Sequence, residues 1–213
     1  MNRARILLAD DHRLVADGLR SLLLSEFELV GVVEDGRSLV ESARKLLPDV
    51  VVADIGMPKL NGLEALSQLK KDNPQVKVVM LTMHREPAFA RRAIEAGASG
   101  FVLKHSAAEE LLIAIRAAME GKTYLTPAIA AGVFNEMKRG GTQKGDPQSA
   151  LTVRQREILQ LLAEGLSAKE IAAQLNISTR TVESHKYQMM ESLAINNSAE
   201  LVHYALKHGI APM

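Results

Sequence analysis

Val50-Val51-Val52-Ala53-Asp54-Ile55-Gly56-Met57-Pro58 is an unbroken apolar run that ends on an acid and then turns on glycine and proline. A run of that length with no polar alternation predicts a strand covered on both faces, as in a parallel sheet. Working outward, similar runs occupy 5–9, 29–33, 76–82 and 100–103. Segments of helical length separate them. Leu111, Leu112, Ile115, Ala118 and Met119 recur at helical spacing after the last run. Asn61…Glu64 and Ser106…Glu109 each place an acid three residues after an N-cap residue. Five strands alternating with helices predict a doubly wound α/β domain with a five-stranded parallel sheet.

Composition narrows the function classes. The chain has 213 residues, 47% of them hydrophobic and 3% aromatic, so aliphatic side chains and methionine must fill the core. It has no cysteine, which excludes disulfides, thiolate metal sites and thiol catalysis. The early run Ile6-Leu7-Leu8-Ala9 ends in two aspartates and is too short for a secretion signal or membrane span. A cytoplasmic protein with no membrane partner is expected.

After Thr126-Pro127, which opens a further short helix, the stretch from Lys138 to Ser149 carries glycine, proline and polar residues without apolar period. It reads as a linker. From Leu151 the pattern is helical throughout. Thr152…Gln155 and Ser167…Glu170 are capping boxes, Ser178 and Ser198 are N-cap candidates, and Gly165 and Gly209 suit helix ends. The expected organisation is 1–122 as the α/β domain, 123–150 as short helix and linker, and 151–213 as a small all-α domain of four helices.

In an open α/β sheet the strand C-termini meet at one edge, where ligands bind. Asp10 and Asp11 follow the first strand, Asp54 ends the third, Thr82 ends the fourth and Lys104 follows the fifth. One aspartate at a strand end is usually a turn residue; five polar groups at one edge make a site. Clustered carboxylates repel unless a hard cation joins them, and Mg²⁺ takes oxygen ligands. A carboxylate beside Mg²⁺ can attack an activated phosphoryl group, with Lys104 as a positive partner and Thr82 as a hydrogen-bonding one. His12 and His84 read as loop histidines, and Met57, Met80 and Met83 as packing residues.

In the second domain, the helix from Ser167 to Leu175, the turn Asn176-Ile177 and the helix from Ser178 form a helix-turn-helix. Val182, His185, Met189 and Leu193 fall on the inward face. Arg180, Glu183, Ser184 and Tyr187 fall on the other face, the one a helix-turn-helix would turn toward DNA. On pattern alone a bundle for protein contact fits as well as a DNA reader. Charge does not decide it: Arg154, Arg156, Lys169, Arg180, Lys186 and Lys207 balance Glu157, Glu164, Glu170, Glu183, Glu191 and Glu200.

Residues 5–121 resemble the receiver domain of two-component response regulators. The likeness rests on Leu8-Ala9-Asp10-Asp11-His12, Asp54-Ile55-Gly56-Met57-Pro58, Asn61-Gly62, Met80-Leu81-Thr82 and Gly100-Phe101-Val102-Leu103-Lys104. It implies a flavodoxin-like fold, Asp54 as phosphoacceptor, and Mg²⁺ held by Asp10, Asp11, Asp54 and the Gly56 backbone carbonyl. It further implies Thr82 and Phe101 as a switch pair, and Lys104 on the phosphoryl group. His105 stands where many receivers have proline, and Gly56 and His84 stand where the family tunes phosphoryl loss.

Residues 151–209 resemble the LuxR-type domain of NarL/FixJ regulators, through Leu151-Thr152, Arg156-Glu157-Ile158-Leu159, Lys169-Glu170-Ile171-Ala172 and Thr181-Val182-Glu183-Ser184-His185. Val153 and Gln155 replace a more usual proline and glutamate, and Glu191-Ser192 stands where many relatives carry bases.

Together the two resemblances imply a phosphorylation-controlled transcription regulator rather than an enzyme. Its expected partners are a sensor histidine kinase, double-stranded promoter DNA, RNA polymerase and a second copy of itself. The expected DNA-binding residues are Lys169, Thr179, Arg180, Glu183, Ser184, Lys186 and Tyr187. Two rivals remain. An Mg²⁺-dependent phosphohydrolase would need a second acid where Gly56 stands, and a constitutive DNA binder would not need the intact acidic set. The expected pairing surface is Phe89, Ile94, Leu112 and Ile115, or else the first and fifth helices.

Overall fold

The computed structural model describes residues 3–138 and 150–211. The expected linker falls almost entirely on 139–149, outside the described residues. The chain forms two compact units.

The first unit alternates strands and helices: β1 (Arg5–Ala9), α1 (Arg13–Leu23), β2 (Glu28–Val33), α2 (Gly36–Leu46), β3 (Val50–Asp54), α3 (Gly62–Asp72), β4 (Lys77–Thr82), α4 (Pro87–Glu95), β5 (Gly100–Leu103), α5 (Ala107–Met119), β6 (Tyr124–Leu125) and α6 (Pro127–Lys138). The strands lie in the order β2-β1-β3-β4-β5-β6, with every pairing parallel. The order reverses between β1 and β3, which opens a crevice at their C-terminal ends.

All five residues of β3 are buried, as its uniform apolar run requires. Alternate side chains point to opposite faces. Ile6, Leu8, Val50, Val52, Val79, Leu81 and Val102 share one core with Ala16, Leu19 and Leu23 of α1 and Leu111, Ala114, Ile115 and Ala118 of α5. Asp35 caps α2 by accepting from the Ser38 amide at 2.9 Å.

Three expectations need correction here. The sheet has a sixth strand: Tyr124 and Leu125 pair with Gly100 and Phe101. Together with α6, which packs on α4, this strand belongs to the first unit, so that unit runs well past residue 122. A two-residue strand has no periodicity of its own, and the β5 edge creates it by supplying partners. Ser106 does not cap α5 with its side chain. Its hydroxyl donates to the Leu103 carbonyl at 3.1 Å, because Lys104–Ser106 form a 3-10 turn ahead of the helix. Finally, of the expected pairing residues Phe89 and Ile115 are buried within the first unit, and only Ile94 and Leu112 are partly exposed.

The second unit contains α7 (Val153–Ala163), α8 (Ala168–Leu175), α9 (Thr179–Ser192) and α10 (Ser198–Lys207). Both capping boxes form, with Thr152 and Gln155 on α7 and Ser167 and Glu170 on α8. Gln155 therefore does the work of the usual glutamate: its Oε1 accepts from the Thr152 amide at 2.8 Å. Ser178 caps α9, accepting from the Thr181 amide at 3.0 Å. The cap of α10 is Asn197 rather than Ser198, with Asn197 Oδ1 accepting from the Glu200 amide at 2.9 Å. Ile158, Leu159, Leu161, Ile171, Val182, Met189, Leu201 and Ala205 build the core.

Among the described residues, no helix is long and apolar enough to cross a membrane.

Candidate functional site

The C-terminal edge of the sheet gathers all five predicted polar residues. Asp10 is fully buried after β1, and its Oδ1 accepts from the His12 amide at 2.9 Å. Asp54 is buried at the end of β3. Lys104 Nζ lies 2.7 Å from Asp54 Oδ2 and 2.8 Å from Asp10 Oδ2. Only the first contact has the directionality of a hydrogen bond. Asp10 Oδ2 is thus a buried acceptor with a nearby charge but no aligned donor.

Carboxylate oxygens of Asp10, Asp11 and Asp54, with a ring nitrogen of His12, lie within 4.8 Å of one another. Three carboxylates against one ammonium leave two negative charges in excess, which suits a divalent cation. The oxygen-rich donor set favours a hard ion such as Mg²⁺ over a softer metal. His12, read from sequence as a loop residue, is a member of this cluster. Its Nδ1 is 2.8 Å from Asp11 Oδ1 while most of its side chain is exposed, so it orients Asp11 from the solvent side. Only the fold could reveal that, since a histidine after two aspartates carries no ligand spacing.

Burial pushes the Asp54 carboxyl above its ordinary value. The Lys104 charge and hydrogen bond oppose that shift, the Asp10 charge adds to it, and the Gly56 amide partly offsets it. Burial pulls Lys104 down, but Asp54 and Asp10 outweigh it and hold the ammonium charged. The site is therefore over-anionic for its depth and has a fixed positive partner on one side.

Thr82 and Phe101 are both fully buried. The Thr82 hydroxyl oxygen accepts from the His84 amide at 2.9 Å, which fixes the turn out of β4. His84 stacks on Phe89 with ring centroids 4.3 Å apart. A Cβ on Gly56 would sit 3.8 Å from Asp54 Oδ2, so a glycine there leaves the carboxylate uncovered. Among the described residues no peptide bond is cis, including the one before His105.

In the second unit, α8 and α9 pack across a turn whose Asn176 takes the left-handed conformation, at φ 52°. Val182 and Met189 are buried, and His185 and Leu193 are half-buried, as the inward face predicts. Lys169, Thr179, Arg180, Ser184 and Tyr187 are exposed, and Glu183 and Lys186 are half-buried. Lys186 Nζ is 3.8 Å from Glu183, a loose pair that either side chain can leave.

Two bases are spent inside the fold. Arg154 bonds Glu157 at 2.7 Å and the Leu175 carbonyl at 2.9 Å, tying α7 to the end of α8. Arg156 bonds the Leu151 carbonyl at 2.6 Å. Nothing in the sequence marks these roles, because both residues look like ordinary surface bases on α7.

Comparison with known proteins agrees with this architecture. Residues 6–116 match the response regulator receiver domain, and residues 149–205 match the bacterial regulatory proteins of the luxR family. The chain is 38% identical over 211 residues to the transcriptional regulatory protein MctR of Rhizobium johnstonii, covering 98% of this chain and 95% of that one. It is 34% identical over 208 residues to the response regulator UvrY of Escherichia coli K12, covering 96% and 94%. Among solved structures it is similar to RcsB of Salmonella enterica serovar Typhimurium bound to promoter P1flhDC in the presence of the phosphomimetic BeF3-. That likeness has a TM-score of 0.65 and 28% identity, over 97% of this chain and 100% of that one. The chain belongs to the NarL/FixJ-type response regulators, transcription regulators in which a receiver domain controls a LuxR-type DNA-binding domain.

Proposed function

We propose that a sensor histidine kinase phosphorylates this chain on Asp54, and that the phosphoryl group shifts its dimerisation and promoter binding. The observation that carries the reading is the buried Asp54 carboxylate, 2.7 Å from Lys104 and clustered with Asp10 and Asp11. Asp54 attacks the phosphorus of the donor phosphohistidine, the N–P bond breaks with its electron pair going to the ring nitrogen, and an acyl phosphate forms. Lys104 pairs with the transferred oxygens. Asp10, Asp11, Asp54 and the Gly56 carbonyl would hold Mg²⁺, which when bound neutralises the carboxylates and the phosphoryl oxygens. Thr82 and Phe101 then act as the switch pair.

The effector reads DNA through α9. Glu183, Ser184 and Tyr187 contact bases, while Lys169, Thr179, Arg180 and Lys186 hold the backbone. A dimer on a paired site recruits or blocks RNA polymerase. We assign the DNA-binding domain to 151–213 and the receiver to the unit before the linker.

The test is to incubate the chain with acetyl phosphate and Mg²⁺, map the acyl phosphate by mass spectrometry, and select bound DNA from random sequence with and without donor. Labelling at Asp54 and donor-dependent enrichment of a paired site are the expected results. Equal labelling of an Asp54→Asn protein overturns the assignment.

A further inference from the structure

The sixth strand brings one more polar residue to the phosphoryl edge. Thr126 follows β6 as Lys104 follows β5, and Thr126 is itself buried. Its amide donates to the Phe101 carbonyl at 3.0 Å. Its hydroxyl oxygen accepts from the Leu103 amide at 3.1 Å and donates to Glu110 Oε2 of α5 at 2.6 Å. The same Glu110 oxygen accepts from the Tyr124 hydroxyl at 3.1 Å. One carboxylate therefore holds both ends of β6.

These bonds fall on residues that matter to the site. Phe101 is the switch aromatic, and Leu103 is the residue before Lys104, whose ammonium holds Asp54. The Thr126 carbonyl closes the first turn of α6, accepting from Ile129 at 2.9 Å and Ala130 at 3.1 Å. Farther along, α6 lies on α4, and a Cβ on Gly132 would meet Pro87 Cγ at 2.5 Å. Pro87 opens α4, five residues beyond Thr82. Helix α6 is thus held by both arms that leave the phosphoryl edge: β5 through Thr126, and the β4–α4 turn through Pro87. It is also the last element before the linker.

We propose that Thr126, latched by Glu110, is a positioning residue that couples the phosphorylation state of Asp54 to helix α6. Closure of Lys104 on a phosphoryl group pulls the end of β5, and the Leu103 amide transmits that pull to Thr126 and the first turn of α6. A buried hydroxyl with both of its hydrogen-bonding roles filled has two discrete arrangements, made or broken, rather than a continuous range. The inference rests on Asp54 being the phosphoacceptor.

The test is hydrogen exchange of the α6 amides in the full chain, with and without acetyl phosphate and Mg²⁺, alongside DNA affinity under both conditions. In wild type, donor should change α6 exchange. Thr126→Val keeps the branched shape but loses the hydroxyl. It should still be labelled at Asp54, while its donor-dependent change in DNA affinity falls by about threefold or more. Thr126→Ser, which restores the hydroxyl, should regain the response. Gly132→Ala, acting at the other end of the helix, should raise α6 exchange before donor is added. An α6 response in Thr126→Val equal to wild type overturns the coupling, as does unchanged α6 exchange in a wild-type chain that is fully labelled. Absence of label on wild-type Asp54 overturns its assignment as phosphoacceptor, and the coupling with it.

Discussion

At the scale of single residues, the receiver site is a charge problem that burial sharpens and Lys104 partly offsets. Asp54 is held above its ordinary carboxylate pKa by burial. A raised folded pKa means that the folded chain binds the proton more tightly than the unfolded chain does. The stability this supplies is full below the unfolded value and is lost as pH rises through the folded one. Asp54→Asn should therefore raise the melting temperature of the metal-free protein at neutral pH, and Mg²⁺ should shrink that advantage. Calorimetry with chelator and with Mg²⁺ checks it; equal melting of the two proteins in chelator would count against the buried charge. In the second domain Glu183 is half-buried on α9, beside Lys186. If it accepts from a cytosine amino group, Glu183→Ala changes preference at one base position by about 1–3 kcal/mol. Binding curves against operators varied one base pair at a time test this. A uniform loss across all of them would place Glu183 in a structural role with Lys186.

At the scale of elements, caps and close approaches set positions more sharply than the apolar pattern does. Thr152→Ala removes the α7 cap and should cost about 1 kcal/mol of stability in the helical unit, read from its thermal transition. No change would mean that Gln155 holds the turn alone. Gly62 opens α3 where a Cβ would overlap the Asp54 carbonyl and lie 2.9 Å from Ile55 Cα. Backbone cannot yield as a side-chain tip does. Gly62→Ala should therefore destabilise the receiver by roughly 1–3 kcal/mol and slow labelling of Asp54. Full labelling at the wild-type rate would show that the β3–α3 turn adapts. At this scale much was legible in advance. The runs at 5–9, 50–54 and 100–103 are strands to the residue, because each is a continuous apolar segment closed by an acid, a base or a glycine. Ser106 stands at the start of α5 as expected, but its hydroxyl goes to the Leu103 carbonyl rather than to the helix, and at α10 the neighbouring Asn197 takes the cap in place of Ser198.

At the scale of the whole molecule, charge bears on assembly. Of six bases after Leu151, Arg154 and Arg156 are engaged inside the helical unit. Few remain to contact phosphates, and each contact adds only about −0.9 to the salt slope of log K. One copy should bind DNA weakly, and two copies on adjacent half-sites should bind tightly because the second contact is intramolecular. Sedimentation and footprinting of the phosphorylated chain should show a dimer covering half-sites about one helical turn apart. A monomer bound to one half-site with the same affinity as the dimer on its full site would end this argument. Burial of Phe89 and Ile115 and the packing of α6 on α4 reduce the apolar surface at that side of the receiver.

The sequence alone determined the strand runs, the two-part organisation and the identity of the acidic set. Those features are local: a two-sided strand must be apolar along its length, and several helices start on a side-chain cap a few residues away. The tertiary structure alone decided which groups touch. Asp10, Asp54 and Lys104 are 44 and 50 residues apart in turn, and only the β1-β3-β4-β5 order brings their side chains within hydrogen-bonding reach. The same holds for Tyr124 and Leu125, which become a strand only because β5 offers an open edge, and for Thr126, whose amide and hydroxyl find their partners on β5 and α5. Pairing energy between distant segments leaves no periodic trace in either segment, so it becomes visible only once the chain has folded.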